Sequence, residues 1–239
     1  MISKKTKALL NDKATNRLKR YFIDVSDQFT GMISAADVQQ LCTDLGVNVD
    51  ELMLMLLVFP SMYAVVPISN YKVGALCLGE SGNLYYGANI EFVGQALSFV
   101  VHAEQASIAN AIEHGETKAT TLAVSAAPCG YCRQFLYELN NAANLQVVLD
   151  GKPSQLLTYY LPDPFGPTDL GLIGGLMDAQ NNNLALVNST SDPVIIEAFN
   201  QANKSYSPET LCYSGVAIQV SNGAIYGGSY AENAAYNPF

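Results

Sequence analysis

One histidine, one carboxylate and two cysteines sit at spacings that can do chemistry: His102-Ala103-Glu104, and downstream Pro128-Cys129-Gly130-Tyr131-Cys132. An imidazole and two thiolates are ligands for zinc, and three protein ligands leave the fourth tetrahedral position to water. A structural site would close all four positions, so His102, Cys129 and Cys132 predict a reaction centre with one Zn2+ per chain. Water in such a position ionises at roughly pH 7, against about 15.7 in bulk. Glu104 stays outside the ligand set, two residues from His102, where it keeps the basicity to move protons. The competing reading makes Cys129 and Cys132 small packing hydrophobes, His102 a satisfied core histidine and Glu104 a solvated first-turn glutamate.

These residues need elements to position them. Val73 to Leu78, the turn Glu80-Ser81-Gly82-Asn83 and Leu84 to Ala88 read as a β-hairpin. Gln105 to His114 has helical periodicity and Gly115 stops it, which places His102 and Glu104 at or just before a first turn. Leu122 to Ala126 reads as a strand feeding Pro128, and Arg133 to Leu139 as a second helix whose first turn holds Cys129 and Cys132. Residues three apart share a helix face, so both sulfurs can reach one ion. The positive end of each helix favours thiolate over thiol. Asn89 and Glu91 follow the hairpin, and alternation puts both on one face. An amide and a carboxylate suit sugar hydroxyls, and a site built on such bonds rejects ligands that lack them. A plain turn residue after Gly87 is the competing reading of Asn89.

Elsewhere the chain reads as scaffold. Residues up to about 58 look helical, first through Leu9, Leu10, Leu18, Phe22 and Val25, then through Val38, Leu41 and Leu45, with Ser34 and Asp37 as a capping box and Gly46 as the stop. Leu52 to Val66 is the most apolar stretch, but Pro60 and Ser61 interrupt it short of the roughly 20 residues a spanning helix needs, so it reads as core. Pro and Gly between Leu161 and Pro167, and Asn181 to Asn183, mark a linker region. A partial repeat follows: Val73-Gly74 through Glu91 aligns at constant offset with Ser214-Gly215 through Glu232, with Tyr230 in place of Asn89. The expected partition is a helical N-terminal segment over 1–48, a zinc-binding catalytic domain over 49–160, a linker over 161–189 and a partial, zinc-less second domain over 190–239.

Of the 239 residues, 49% are hydrophobic and only 14% charged, a composition that excludes wholesale disorder and points to surface buried between subunits. The formal net charge of −9 disfavours a polynucleotide partner, since tracking phosphates draws on clustered Lys and Arg. The five cysteines form no dense framework, and the basic start runs into Asn11, Asp12 and Lys13 before a signal-like apolar core forms. A cytoplasmic protein bound to neither membrane nor nucleic acid is expected. Cys42, Cys77 and Cys212 read as inert packing thiols, and His114 as an exposed helix-end residue.

His-x-Glu followed by Pro-Cys-x-x-Cys resembles the signature of zinc-dependent deaminases. Together with Ile68-Ser69-Asn70-Tyr71-Lys72-Val73-Gly74-Ala75, Gly87-Ala88-Asn89-Ile90-Glu91-Phe92, Pro128 through Phe135, Tyr160 through Asp163 and Ser229 through Ala235, it makes the chain resemble the two-domain, dimeric cytidine deaminases of the bacterial and plant type. The resemblance implies an α/β fold of three layers with a mixed central sheet, a helical N-terminal segment and a second, zinc-less deaminase-like domain. It implies a homodimer in which the second domain completes the partner's site, through residues near Ala231 to Ala235 and through Phe165. It implies that Asn89 and Glu91 bind the 3′-hydroxyl of a nucleoside, that Tyr71, where the family commonly has phenylalanine, stacks beside the pyrimidine, and that Ala103 belongs to the substrate set. Core packing is the competing reading of Tyr71. Measured against the family pattern, the second domain stops short at Phe239.

The leading expectation is therefore zinc-dependent hydrolytic deamination of cytidine and 2′-deoxycytidine in pyrimidine salvage. Two alternatives stand beside it: a deaminase of another small aminated ring, and a zinc-stabilised binding protein without turnover.

Overall fold

The computed structural model describes residues 31–236 and 238–239. Expected helix through Leu9, Leu10, Leu18, Phe22 and Val25 lies outside the described residues.

Local sequence sets the first elements. After a short strand, Met32–Ile33 (β1), the helix Ala35–Leu45 (α1) begins where the Ser34 hydroxyl accepts the Asp37 N–H, and it ends where Gly46 turns left-handed at φ 66°. Helix Val49–Leu56 (α2) opens on a reciprocal capping box between Asn48 and Glu51, a start signal the sequence reading passed over. Helix Val58–Met62 (α3) follows directly. The apolar stretch is core as far as Pro60, with Leu52, Met53, Met55, Leu56, Phe59 and Pro60 buried, but Met62, Tyr63 and Val65 at its end are exposed, because the chain leaves α3 there for the loop that leads to β2. Among the described residues no single helix is long and apolar enough to cross a membrane.

Strands Gly74–Gly79 (β2) and Leu84–Ala88 (β3) form the expected hairpin, turning at Gly82 with φ 86°. Helix Ala103–Glu113 (α4) leads to strand Ala119–Val124 (β4), then to helix Gly130–Leu136 (α5) and strand Gln146–Val148 (β5). Strand Gln155–Leu156 (β6) and helix Leu157–Tyr160 (α6) complete this part. The sheet order is β1-β3-β2-β4-β5-β6, antiparallel except for the parallel β4–β5 pair. It is the mixed sheet expected.

Alternation along the strands builds the layers. Ala75, Cys77, Tyr85, Leu122, Val124 and Val147 pack on one face with Ala103, Ile108 and Ala111 of α4 and Phe135 and Leu136 of α5. Leu76, Leu84, Tyr86, Ala123 and Val148 pack on the other with residues of α1, α2 and α3.

Two elements start three residues earlier than expected. β4 begins at Ala119 instead of Leu122, because its ladder with β2 runs on to pair Gly79 with Ala119. α5 spans Gly130–Leu136 instead of Arg133–Leu139, because Cys129 is the N-cap and its sulfur accepts the Cys132 N–H.

Beyond Tyr160 the chain has a 3-10 turn at Pro167–Leu170 and then the helix Pro193–Lys204 (α7). Between them Leu176 and Met177 are buried in the α4/α5 core, and Leu176 exchanges backbone hydrogen bonds with Glu138 and Asn140. Strands Gly215–Gln219 (β7) and Ile225–Ser229 (β8) form the second hairpin, as the repeat predicts.

Candidate active site

Two helix starts meet over the sheet. Gly87 on β3 seats α4, since a Cβ there would overlap the Ala103 carbonyl oxygen and the Ser107 amide nitrogen. His102 is the extended N-cap of α4, with φ −85° and ψ 153°, and its N–H donates to Gln105 Oε1 at 3.0 Å. Cys129 caps α5, and Arg133 braces the turn before it by donating to the carbonyls of Pro128 at 2.7 Å and Tyr160 at 2.8 Å.

The ligand atoms of His102, Cys129 and Cys132 lie within 4.8 Å of one another, and His102 Nδ1 is 3.6 Å from Cys129 Sγ. This places all three residues as the spacing predicts and removes the packing-thiol reading of Cys129, which is exposed. The set fits zinc by its chemistry: one nitrogen and two sulfurs, with Glu104 outside the cluster. Glu104 is 4% exposed, so the solvated first-turn reading is removed as well. Burial pushes its carboxyl up, while its own N–H, a hydrogen bond with Cys132 and the His102 charge pull the other way. Burial also pushes the Cys132 thiol up, reinforced by the charges of Glu104 and Cys129. Without a cation that corner favours the uncharged thiol at Cys132; a cation among the three groups would reverse this and favour thiolate.

Asn89 and Glu91 are each 9% exposed and heavily engaged. Asn89 Oδ1 accepts the Val73 N–H at 2.9 Å, and its Nδ2 donates to the Tyr71 carbonyl at 3.0 Å. Glu91 Oε2 accepts the N–H groups of Ile68 at 2.9 Å and Ser69 at 3.0 Å, and its Oε1 accepts the Ser69 hydroxyl. Those hydrogen bonds, the Ser69 hydroxyl first, hold the Glu91 carboxyl below its usual range. Tyr71 is 61% exposed, which removes the core-packing reading. Ala103 is fully buried as the first residue of α4, so what it can offer a ligand is main chain, including one of the helix's free N–H groups.

The remaining expectations divide. His114 is exposed, with Nδ1 against the Asn110 carbonyl, outside the site. Cys77 is buried and Cys42 half-buried, as packing thiols should be, but Cys212 is exposed because it sits in a loop beyond α7. Ala231, Glu232, Asn233 and Ala234 are buried in their own chain, where Ala234 N–H donates to Glu138 Oε2 at 2.9 Å and Asn233 Nδ2 to the Gln134 carbonyl at 3.2 Å. Phe165 is 45% exposed.

Sequence reasoning passed over two neighbours of His102. Gln105 stands at the N3 position of α4, where its side chain accepts the His102 N–H. The Tyr131 ring stacks on the imidazole, with centroids 5.3 Å apart and planes 21° from parallel. The first was findable from its offset to the cap; the second lies inside the Cys-x-x-Cys loop, where spacing says nothing about ring contacts.

Residues 48–148 match a family profile described as the cytidine and deoxycytidylate deaminase zinc-binding region, and residues 157–239 match a second profile of the same description. The cytidine deaminases of Yersinia pestis (strain Pestoides F) and Yersinia pseudotuberculosis (serotype O:1b, strain IP 31758) are 43% identical to this chain over 213 residues, 89% of this chain and 72% of theirs. A crystal structure of cytidine deaminase from Mycobacterium tuberculosis is similar at 30% identity with a TM-score of 0.41, over 45% of this chain and 89% of that one.

Proposed function

The chain belongs to the cytidine and deoxycytidylate deaminase family, and from that premise we propose that it hydrolyses cytidine and 2′-deoxycytidine to uridine and 2′-deoxyuridine, releasing ammonia. The observation that carries the reading is the convergence of His102, Cys129 and Cys132 within 4.8 Å, with buried Glu104 beside them and outside the set. Zinc held by those three residues supplies Lewis acidity that lets water ionise near neutral pH. Glu104 takes the proton from the water that adds to C4 and delivers it to ring nitrogen N3. The regenerated carboxylate then takes the proton of the new C4 hydroxyl and passes it to the departing amino group as C4=O forms and the C4–N bond breaks, so one water enters and one ammonia leaves. At 4% exposure Glu104 is shielded from bulk water, so the proton it holds passes to the substrate and not to solvent.

Asn89 and Glu91 read the 3′-hydroxyl with the hydrogen-bonding capacity their loop contacts leave over: one N–H and one lone pair on the amide, one acceptor site on the carboxylate. Tyr71 stacks beside the pyrimidine and Ala103 contributes its main chain. The catalytic domain over 49–160 acts as half of a homodimer whose partner contributes from the linker over 161–189 and the second domain over 190–239. Support for that assembly is the run of exposed apolar side chains near the site, Tyr71, Phe92, Val93, Leu97 and Phe99. The free state of the described cysteines suits a cytoplasmic place of action.

The deciding experiment incubates the zinc-loaded chain with cytidine and follows uridine. Turnover is expected to fall by about 10²- to 10⁴-fold in Glu104→Ala with zinc content unchanged. A folded, zinc-loaded chain that forms no uridine sinks the reading.

A further inference from the structure

We infer that Tyr131 is a positioning residue for the metal site, its ring fixing the plane of the His102 imidazole so that Nδ1 faces the two sulfurs; this rests on reading His102, Cys129 and Cys132 as zinc ligands. The His102 backbone is already held by its N-cap conformation and by the Gln105 Oε1 bond at 3.0 Å. What stays free is the side chain, whose ring torsion is broad and roughly two-fold. Ligand imidazoles are usually oriented by a hydrogen bond from the second ring nitrogen to a carboxylate, a carbonyl or water. Here Nδ1 faces Cys129 at 3.6 Å, and among the described residues Nε2 has no hydrogen-bond partner, which leaves ring orientation to another contact.

The Tyr131 ring is that contact, 5.3 Å away and 21° from parallel. Its own placement is fixed on both sides. It stands in the first turn of α5 between Cys129 and Cys132, and its hydroxyl is hydrogen-bonded to the Gln105 side chain, the group that also holds the His102 N–H. One loop thus supplies both sulfurs and the plane against which the nitrogen ligand lies, and the contact ties the α4 start to the α5 start.

The test measures zinc affinity of the full chain by competition with a chromophoric chelator, and the d–d absorption of the cobalt(II)-substituted protein, for the unsubstituted chain, Tyr131→Phe, Tyr131→Leu and Tyr131→Met. Phe keeps the ring and is expected to keep both affinity and spectrum. Leu and Met keep apolar bulk without a ring face; either one, shown by circular dichroism to be folded, is expected to bind zinc about 10- to 100-fold more weakly, the usual loss for a group that orients a ligand, and to shift the cobalt bands. A folded Leu or Met variant with unchanged affinity and spectrum overturns the inference. So does a Phe variant as weak as Leu, which would assign the effect to the hydroxyl and Gln105. An unsubstituted chain that takes up no zinc fails at the earlier step, the ligand set itself.

Discussion

Residues 65–91 and 206–232 are two copies of one construction put to different use. In the first, Val65 bridges Ile90, Glu91 clamps the N–H groups of Ile68 and Ser69, and the Ser69 hydroxyl accepts the Tyr71 N–H. In the second, Tyr206 bridges Ala231, Glu232 clamps the N–H groups of Glu209 and Thr210, and the Thr210 hydroxyl accepts the Cys212 N–H. Strand registers match pair for pair, and Gly74 and Gly215 each let a preceding helix press on the hairpin. The copies part at Asn89, whose amide ties the 71–73 loop while Tyr230 has no amide to do so, and on the face α4 covers in the first. Ala75, Cys77 and Tyr85 are buried there, whereas their counterparts Val216, Ile218 and Tyr226 are 66%, 63% and 56% exposed. The lesson is that the acidic clamp is scaffolding common to both copies, so Glu91 owes its engagement to loop architecture before any ligand arrives. Chemistry enters with α4 and α5, which bring the ligands to the first copy alone.

The sharpest way to break that comparison is to give each copy the same methyl group. Gly87→Ala would drive Cβ into the α4 backbone and is expected to cost about 1–3 kcal/mol, with weakened metal binding because His102 moves with the helix. Gly228→Ala meets only Val216 at 3.6 Å and is expected to stay within about 0.5 kcal/mol. Urea unfolding of both variants checks this, and equal losses would mean that α4 packing is not what separates the copies.

A smaller effect sits at the left-handed residue each copy needs. Asn70 has φ 55° and Leu211 has φ 57°. Asparagine tolerates that region and leucine does not, so Leu211→Asn is expected to stabilise the chain by about 1 kcal/mol. Leu211 is 63% exposed, so little packing is lost in exchange. An unchanged or lowered urea midpoint would contradict it.

The smallest effect concerns a carboxyl the first copy lacks. Glu209 stands where Ile68 stands, and burial, a hydrogen bond shared with Glu232 and the charges of Glu138 and Glu232 push its pKa from 4.5 up to about 7. Hydrogen bonds from Thr210 and the Glu209 N–H, working against burial, hold Glu232 low, so the two titrate as a pair. A raised folded pKa means stability that is complete below about pH 4.5 and is lost as pH climbs through 7. Amide exchange at 206–212, corrected for its intrinsic pH dependence, is therefore expected to quicken across that window, while 65–71 stays flat. Glu209→Gln should abolish the difference, and a flat profile in the unsubstituted chain would refute the shared proton.

Much of the fold was legible because its signals are local. Gly46 and Gly82 stop or turn the chain through positive φ, Ser34 caps α1, and period-two alternation on β2 and β3 sorts Cys77 from Leu76 into opposite layers. The α5 boundary slipped because a cysteine serves as its N-cap, outside the usual Ser, Thr, Asp and Asn. Burial of Leu176 and Met177 was illegible, since their stretch has no periodicity and its partners at Glu138 and Asn140 belong to a different element.

By itself the sequence determined the ligand types, the carboxylate left outside them and the helix starts that present them, because ligand chemistry, capping and spacing act within a few residues. Tertiary structure alone decided that Nδ1 and Sγ, 27 residues apart in the chain, come within 3.6 Å. It alone buried Glu104, laid Tyr131 on the imidazole, and committed most of Asn89 and Glu91 to a loop. The reason is that such approaches depend on how two helices seat on one sheet face, where side-chain volume and a missing Cβ at Gly87 set distances that no local pattern encodes.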